Sequence, residues 1–133
     1  MKVAIDHIVL NVRDVERALT FYTEVIGLSA ERVEKFRGGE LPFPSLRVSD
    51  DSIIDLLPPE IWGGGEPGET RTNVNHFCLA FDAASWPALE QRLKGAAVEY
   101  ELGPVTLSGA RGDGTSVYIR DPEGNRVELR HYE

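Results

Sequence analysis

Ile5-Asp6-His7-Ile8-Val9-Leu10 and Val74-Asn75-His76-Phe77-Cys78-Leu79 are two apolar segments, each with a histidine at its third position and each followed by a helix-like stretch. The first stretch starts at Asp14, a residue type that caps helix N-termini. It then runs through Val15, Ala18, Leu19, Tyr22 and Ile26 at helical spacing to Gly27, placed as a C-cap. The second starts near Asp82 or Ser85 with Pro87 in its first turn. Trp86, Leu89, Leu93 and Ala96 form its apolar stripe, and Gly95 lies at its end. Strand-like runs follow each helix: Ala30–Phe36, Ser45–Val48 and Ser52–Leu57 in the first half, and Val98–Leu102, Thr115–Arg120 and Arg126–His131 in the second. The closing run of each half holds a carboxylate at its centre, Asp55 in Ile53-Ile54-Asp55-Leu56-Leu57 and Glu128 in Arg126-Val127-Glu128-Leu129-Arg130.

Each half therefore reads β-α-β-β-β, and the expected fold is α+β, two βαβββ modules in one domain over 1–133. Module one covers about 1–57 and module two about 74–133. Residues 58–73, with Trp62-Gly63-Gly64-Gly65-Glu66-Pro67-Gly68, form a linker by composition. Side chains alternate along a strand. If Ile8, Leu10 and Val12 face the first helix, His7 faces the other way. If Phe77, Leu79 and Phe81 face the second helix, His76 and Cys78 do not. Asp55 and Glu128 likewise stand opposite Ile54, Leu56, Val127 and Leu129. Two imidazoles and two carboxylates thus occupy the faces turned away from the helices.

Two neutral imidazoles with one or two carboxylates suit Mn, Fe, Co, Ni or Zn, whereas calcium and magnesium prefer all-oxygen shells. A site of three or four protein ligands leaves positions open for a substrate oxygen or a water. A lone strand histidine is more often structural. Two histidines at equivalent places, matched by carboxylates at equivalent places, are hard to explain by packing. Glu128 reaches further than Asp55 and is the preferred carboxylate ligand.

Composition narrows the function classes. The 133 residues have a net charge of −8, which opposes binding to nucleic acid phosphates. No apolar run approaches the roughly 20 residues needed to span a bilayer, and the N-terminus lacks a signal-peptide core. A single cysteine, Cys78, excludes an internal disulfide. The expectation is a cytoplasmic protein that acts on a small molecule, with neither nucleic acid nor membrane as partner.

The chain resembles the vicinal oxygen chelate superfamily, which includes glyoxalase I, methylmalonyl-CoA epimerase, fosfomycin-resistance enzymes, bleomycin-binding proteins and extradiol dioxygenases. The resemblance rests on the two histidine segments, on Phe21-Tyr22 before Gly27-Leu28, and on Tyr118-Ile119-Arg120-Asp121-Pro122-Glu123-Gly124-Asn125-Arg126-Val127-Glu128. It implies paired βαβββ modules forming a cleft, a homodimer, and one divalent ion per site held by His7, His76 and Glu128. Asp55 falls where glyoxalase-like members carry a fourth ligand, glutamate or glutamine. Redox-neutral chemistry on a chelated oxygenated substrate follows: isomerisation, epimerisation, lyase chemistry or epoxide hydration. Asp55 or Glu128 would move the proton, and Arg111 and Tyr118 would bind the substrate.

Two alternatives remain at this stage. A metal-free drug-binding protein would not need His7, His76 and Glu128. An extradiol dioxygenase would have a histidine six to eight residues before Tyr118, where Gly109-Ala110-Arg111-Gly112 stands. Phe36, Phe43, Trp62 and Tyr100 are possible pocket linings or core residues. Cys78 reads as a small apolar filler and His131 as a surface residue.

Overall fold

The computed structural model describes residues 5, 7–64, 74, 76–109 and 111–132. The chain divides into two compact units, Met1–Pro67 and Gly68–Glu133. Each contains one four-stranded mixed sheet and its own helices, so the fold is α+β with paired βαβββ-type modules.

In the first unit β1 (His7–Asn11) leads into α1 (Val15–Thr20). Asp14 caps α1 by accepting the Arg17 backbone N–H at 3.0 Å. The helix continues as a π-helical turn over Phe21–Ile26 and ends at Gly27, whose φ of 97° is the left-handed cap that glycine adopts without strain. Strands β2 (Ser29–Glu31), β3 (Ser45–Ser49) and β4 (Ser52–Leu57) complete the sheet in the order β1-β4-β3-β2. β1 pairs with β4 in parallel, and the other pairs are antiparallel.

One strand expectation in this unit is corrected. The run Ala30–Phe36 is not a single strand: Arg32 adopts a left-handed backbone at φ 67°, and α2 (Val33–Arg37) follows. Within the expected linker, Pro59–Trp62 forms α3, and the Trp62 indole N–H donates to the Val12 and Leu57 carbonyls at 3.1 and 2.9 Å. Trp62 therefore ties the ends of β1 and β4. The Gly65-Glu66-Pro67-Gly68 part of the linker lies outside the described residues.

The second unit repeats the plan. β5 (Phe77–Phe81) is followed by a 3-10 turn over Ala83–Ser85 and α4 (Trp86–Gly95). Strands β6 (Leu102–Gly109), β7 (Gly112–Arg120) and β8 (Arg126–His131) form a sheet ordered β5-β8-β7-β6, with β5 and β8 parallel. The expected strand at Val98–Leu102 is displaced: the strand begins where that run was to end. Gly95 is the last helical residue, and the left-handed position falls on Ala97 at φ 55°.

Each core lies between a sheet and its helix. Leu10, Val12, Leu46, Ile54 and Leu56 pack with Leu19, Tyr22 and Ile26 in the first unit. Leu79, Val117, Ile119, Val127 and Leu129 pack with Trp86, Leu89 and Leu93 in the second. Burying a side chain of this kind contributes about 1.5–3 kcal/mol, which fixes which face of each sheet is apolar and leaves the other for polar groups. Among the described residues no helix is long and apolar enough to cross a membrane.

Candidate functional site

Strand register places matching residues of the two halves in matching rows. Val9 lies beside Asp55 and Asp55 beside Ser45; Cys78 lies beside Glu128 and Glu128 beside Tyr118. His7 and His76 each stand two residues before the first member of these rows. The histidine–carboxylate repeat of the sequence is thus a repeat of sheet positions.

In the second unit the polar groups meet. His76 Nε2 is 3.3 Å from Glu128 Oε2, and its ring packs edge-on against Tyr118 with centroids 5.2 Å apart. Glu128 is buried, and Ser116 Oγ donates to its Oε1 at 2.7 Å. The Arg130 guanidinium donates to the same oxygen at 3.0 Å, and Tyr118 OH donates to Oε2 at 3.1 Å. Burial alone would raise the Glu128 pKa. The hydrogen bonds from Ser116 and Tyr118 and the Arg130 charge outweigh it, and the net shift is downward. Tyr118 moves the other way, raised by burial and by the carboxylate it serves.

In the first unit Asp55 is also buried and accepts Ser45 Oγ at 2.6 Å. His7 lies on β1, on the exposed side of its alternation. Among the described residues, neither unit by itself gathers three or more His, Cys, Asp or Glu side chains at metal-holding spacing. The fit of an ion is therefore tested on the pair in the second unit. Two donors each about 2.0–2.2 Å from one ion stand about 2.8–3.6 Å apart at angles of about 90–109°. The His76–Glu128 separation of 3.3 Å falls within that range. An imidazole nitrogen with a carboxylate oxygen is also a donor set that first-row divalent metals accept.

The remaining expected residues are placed as follows. The Arg111 backbone N–H donates to Tyr132 OH at 3.3 Å, and its guanidinium stacks 4.2 Å from the centroid of that ring. Tyr118 is occupied with Glu128 and is overlain by the Arg126 guanidinium at 4.3 Å. Cys78 is exposed as a residue and is not the buried filler expected of it. Desolvation of its thiol and the neighbouring Glu128 carboxylate push its pKa up to about 12. His131 is half-buried with its ring 4.6 Å from that of Trp86, which corrects its reading as a surface residue.

Ser116, Arg126, Arg130 and Tyr132 escaped the sequence reading. Ser116 and Arg130 face each other across β7 and β8, as do Tyr118 and Glu128. The Asp121–Asn125 turn sets that register, so these neighbours follow from counting outward from the turn.

Two halves of β-α-β-β-β plan, each with a histidine and a carboxylate on its non-helical face, define the class of fold. The model of the Glyoxalase/Bleomycin resistance protein/Dioxygenase superfamily matches residues 4–129, and this chain belongs to that superfamily. A virulence protein of Salmonella typhimurium is 34% identical over 130 residues, covering 96% of this chain and 83% of that protein. Its crystal structure superposes with a TM-score of 0.73 at 30% identity, covering 100% and 99% of the two chains. A lactoylglutathione lyase of Shigella flexneri is 29% identical over 130 residues, 92% of this chain and 88% of that one. The crystal structure of a fosfomycin resistance protein from Mesorhizobium loti shares the fold, with a TM-score of 0.66 at 17% identity and coverage of 100% and 95%.

Proposed function

We propose that the protein is a metal-dependent, glyoxalase-like enzyme performing redox-neutral chemistry on a small oxygenated, anionic substrate. The observation that carries this reading is the 3.3 Å pairing of His76 Nε2 with Glu128 Oε2, on a carboxylate whose other oxygen is already held by two donors. Similarity to a lactoylglutathione lyase over nearly the whole chain supports the reaction class.

His7, His76 and Glu128 would hold one divalent ion, Mn, Fe, Co, Ni or Zn. When bound, such an ion polarises a substrate oxygen and lowers the pKa of a coordinated water. Glu128, with its depressed pKa and its hydrogen-bond donors, suits a ligand better than a base. Proton transfer then falls to Asp55, whose Oδ1 accepts from Ser45, leaving Oδ2 to take and return the proton. The Arg111 guanidinium would receive the anionic group of the substrate, with the Tyr132 ring supporting it. Tyr118 would position Glu128 through its hydroxyl and His76 through its ring. We further propose a cytoplasmic homodimer with C2 symmetry, the commonest closed symmetry of soluble homo-oligomers. Light scattering should return twice the chain mass, and a monomer would contradict it.

The decisive experiment measures metal content after reconstitution with Zn, Mn, Co or Ni for the wild type and for the His7→Ala, His76→Ala double variant. The wild type should hold about one equivalent per chain and the variant much less. Equal content in the two proteins would refute the ligand assignment.

A further inference from the structure

Arg130 is a cation buried to 3% exposure, one strand pitch from Glu128, and every arm of its guanidinium is engaged. Nε donates to Ser116 Oγ at 3.1 Å, and Ser116 Oγ in turn donates to Glu128 Oε1 at 2.7 Å. Nη2 donates to that same Oε1 at 3.0 Å, closing a ring of three side chains. Nη2 also reaches the Leu107 and Ser108 carbonyls at 3.2 and 3.1 Å, and Nη1 reaches Tyr132 OH at 3.0 Å. Gly109 supplies the room: a Cβ there would run into the guanidinium and the Tyr132 hydroxyl. The first half has no counterpart. Counting from Asp55 as the equivalent of Glu128 and from Ser45 as that of Tyr118, the position of Arg130 is Leu57 and that of Ser116 is Phe43, neither of which can carry such a bond.

A carboxylate oxygen has two lone-pair directions in its plane. On Oε1 both are met, by Ser116 and Arg130, while Oε2 is the oxygen turned to His76. We infer that Arg130, through this ring with Ser116 and the space left by Gly109, is a positioning residue that restricts Glu128 to presenting Oε2 alone. Glu128 then meets an ion through one oxygen and leaves one more position open to substrate than a two-oxygen grip would. This inference rests on the proposed metal site and adds to it the residue that sets how the glutamate binds.

The test uses the full chain loaded with Co²⁺. The visible bands of cobalt report its coordination number, and chelator competition reports affinity; neither requires turnover. Arg130→Met frees Oε1, so the bands should weaken and shift as the carboxylate grips through both oxygens. Affinity should change by about 10–100-fold, the range for groups that orient a metal ligand. Arg130→Lys keeps one charged donor and should fall between wild type and Arg130→Met. Gly109→Ala alters neither Glu128 nor Arg130 and should displace the spectrum in the same direction. If Arg130→Met does not fold, as judged by near-ultraviolet circular dichroism, the lysine and alanine variants carry the test. Wild-type spectra and affinity in the folded variants would overturn the inference while leaving the metal site standing. Failure of the wild type to bind Co²⁺, Zn²⁺ or Mn²⁺ at all would remove both.

Discussion

Consider Glu128→Gln and Arg130→Met made singly and together, in metal-free protein. The two side chains are 7% and 4% exposed and 3.0 Å apart. Each single variant strands a buried charge among neutral partners. Without Glu128, Arg130 keeps Ser116, Tyr132 and the Leu107 and Ser108 carbonyls. Without Arg130, Glu128 keeps Ser116 and Tyr118. Removing one partner of a buried pair costs about 3–5 kcal/mol. The surviving neutral bonds place the expectation for each at the low end, about 3 kcal/mol. The double variant strands no charge, so its cost should fall short of the sum by about 2 kcal/mol. With a urea slope of about 1–3 kcal/mol per molar, each single change moves the midpoint by about 1–3 M. Equilibrium denaturation in EDTA at pH 7 reads all four corners of the cycle. Additivity within about 0.5 kcal/mol would refute the view that the ring is energetically one unit.

Three further outcomes follow from the same geometry. Glu128 has a folded pKa below its usual 4.5, so its contribution to stability is complete above that value and is lost as pH falls through the lower folded value. The wild-type urea midpoint should therefore drop more steeply than that of Glu128→Gln below about pH 4.5, and parallel curves would contradict this. Cys78, pushed up from 9.0 to about 12, should alkylate about a thousandfold more slowly at pH 8 than an ordinary exposed thiol, as iodoacetamide kinetics followed by mass spectrometry can show. Trp62→Phe removes the donor shared by the Val12 and Leu57 carbonyls and should cost about 1–2 kcal/mol in thermal or urea unfolding; no loss would mean that those carbonyls are satisfied otherwise.

The repeat was the most legible feature, because a histidine two residues from the centre of an alternating strand keeps its face wherever the strand begins. Glu128 was legible for the same reason, and for the turn that precedes it. The run Ala30–Phe36 misled because Val33 and Phe36 suit either a strand or a helical turn, and the left-handed Arg32 that decides between them has no sequence signal. β6 was missed because Gly103 and Pro104 punctuate it, although Val105 and Leu107 alternate with Thr106 and Ser108 as a half-buried strand should. Arg130 was hidden by its charge. On a strand a terminal arginine reads as solvated, and only the approach of Gly109 and the two carbonyls of β6 shows that it is enclosed.

The Asp121–Asn125 turn has a consequence for how this lineage can vary in length. Asp121 Oδ1 accepts the Glu123 and Asn125 backbone N–H groups at 2.9 and 2.8 Å, Oδ2 takes the Asn125 amide at 2.8 Å, and Gly124 supplies φ 84°. The turn is a ruler that counts residues into β8. One inserted residue inverts parity along that strand, exchanging the side of Glu128 with that of Val127 and Leu129 and driving a carboxylate into the apolar core. Two inserted residues restore parity but slide the carboxylate about 6.6–6.8 Å along the strand, beyond the reach of His76. A library of turn lengths screened separately for folding and for metal uptake should thus lose odd changes at the first screen and even ones at the second.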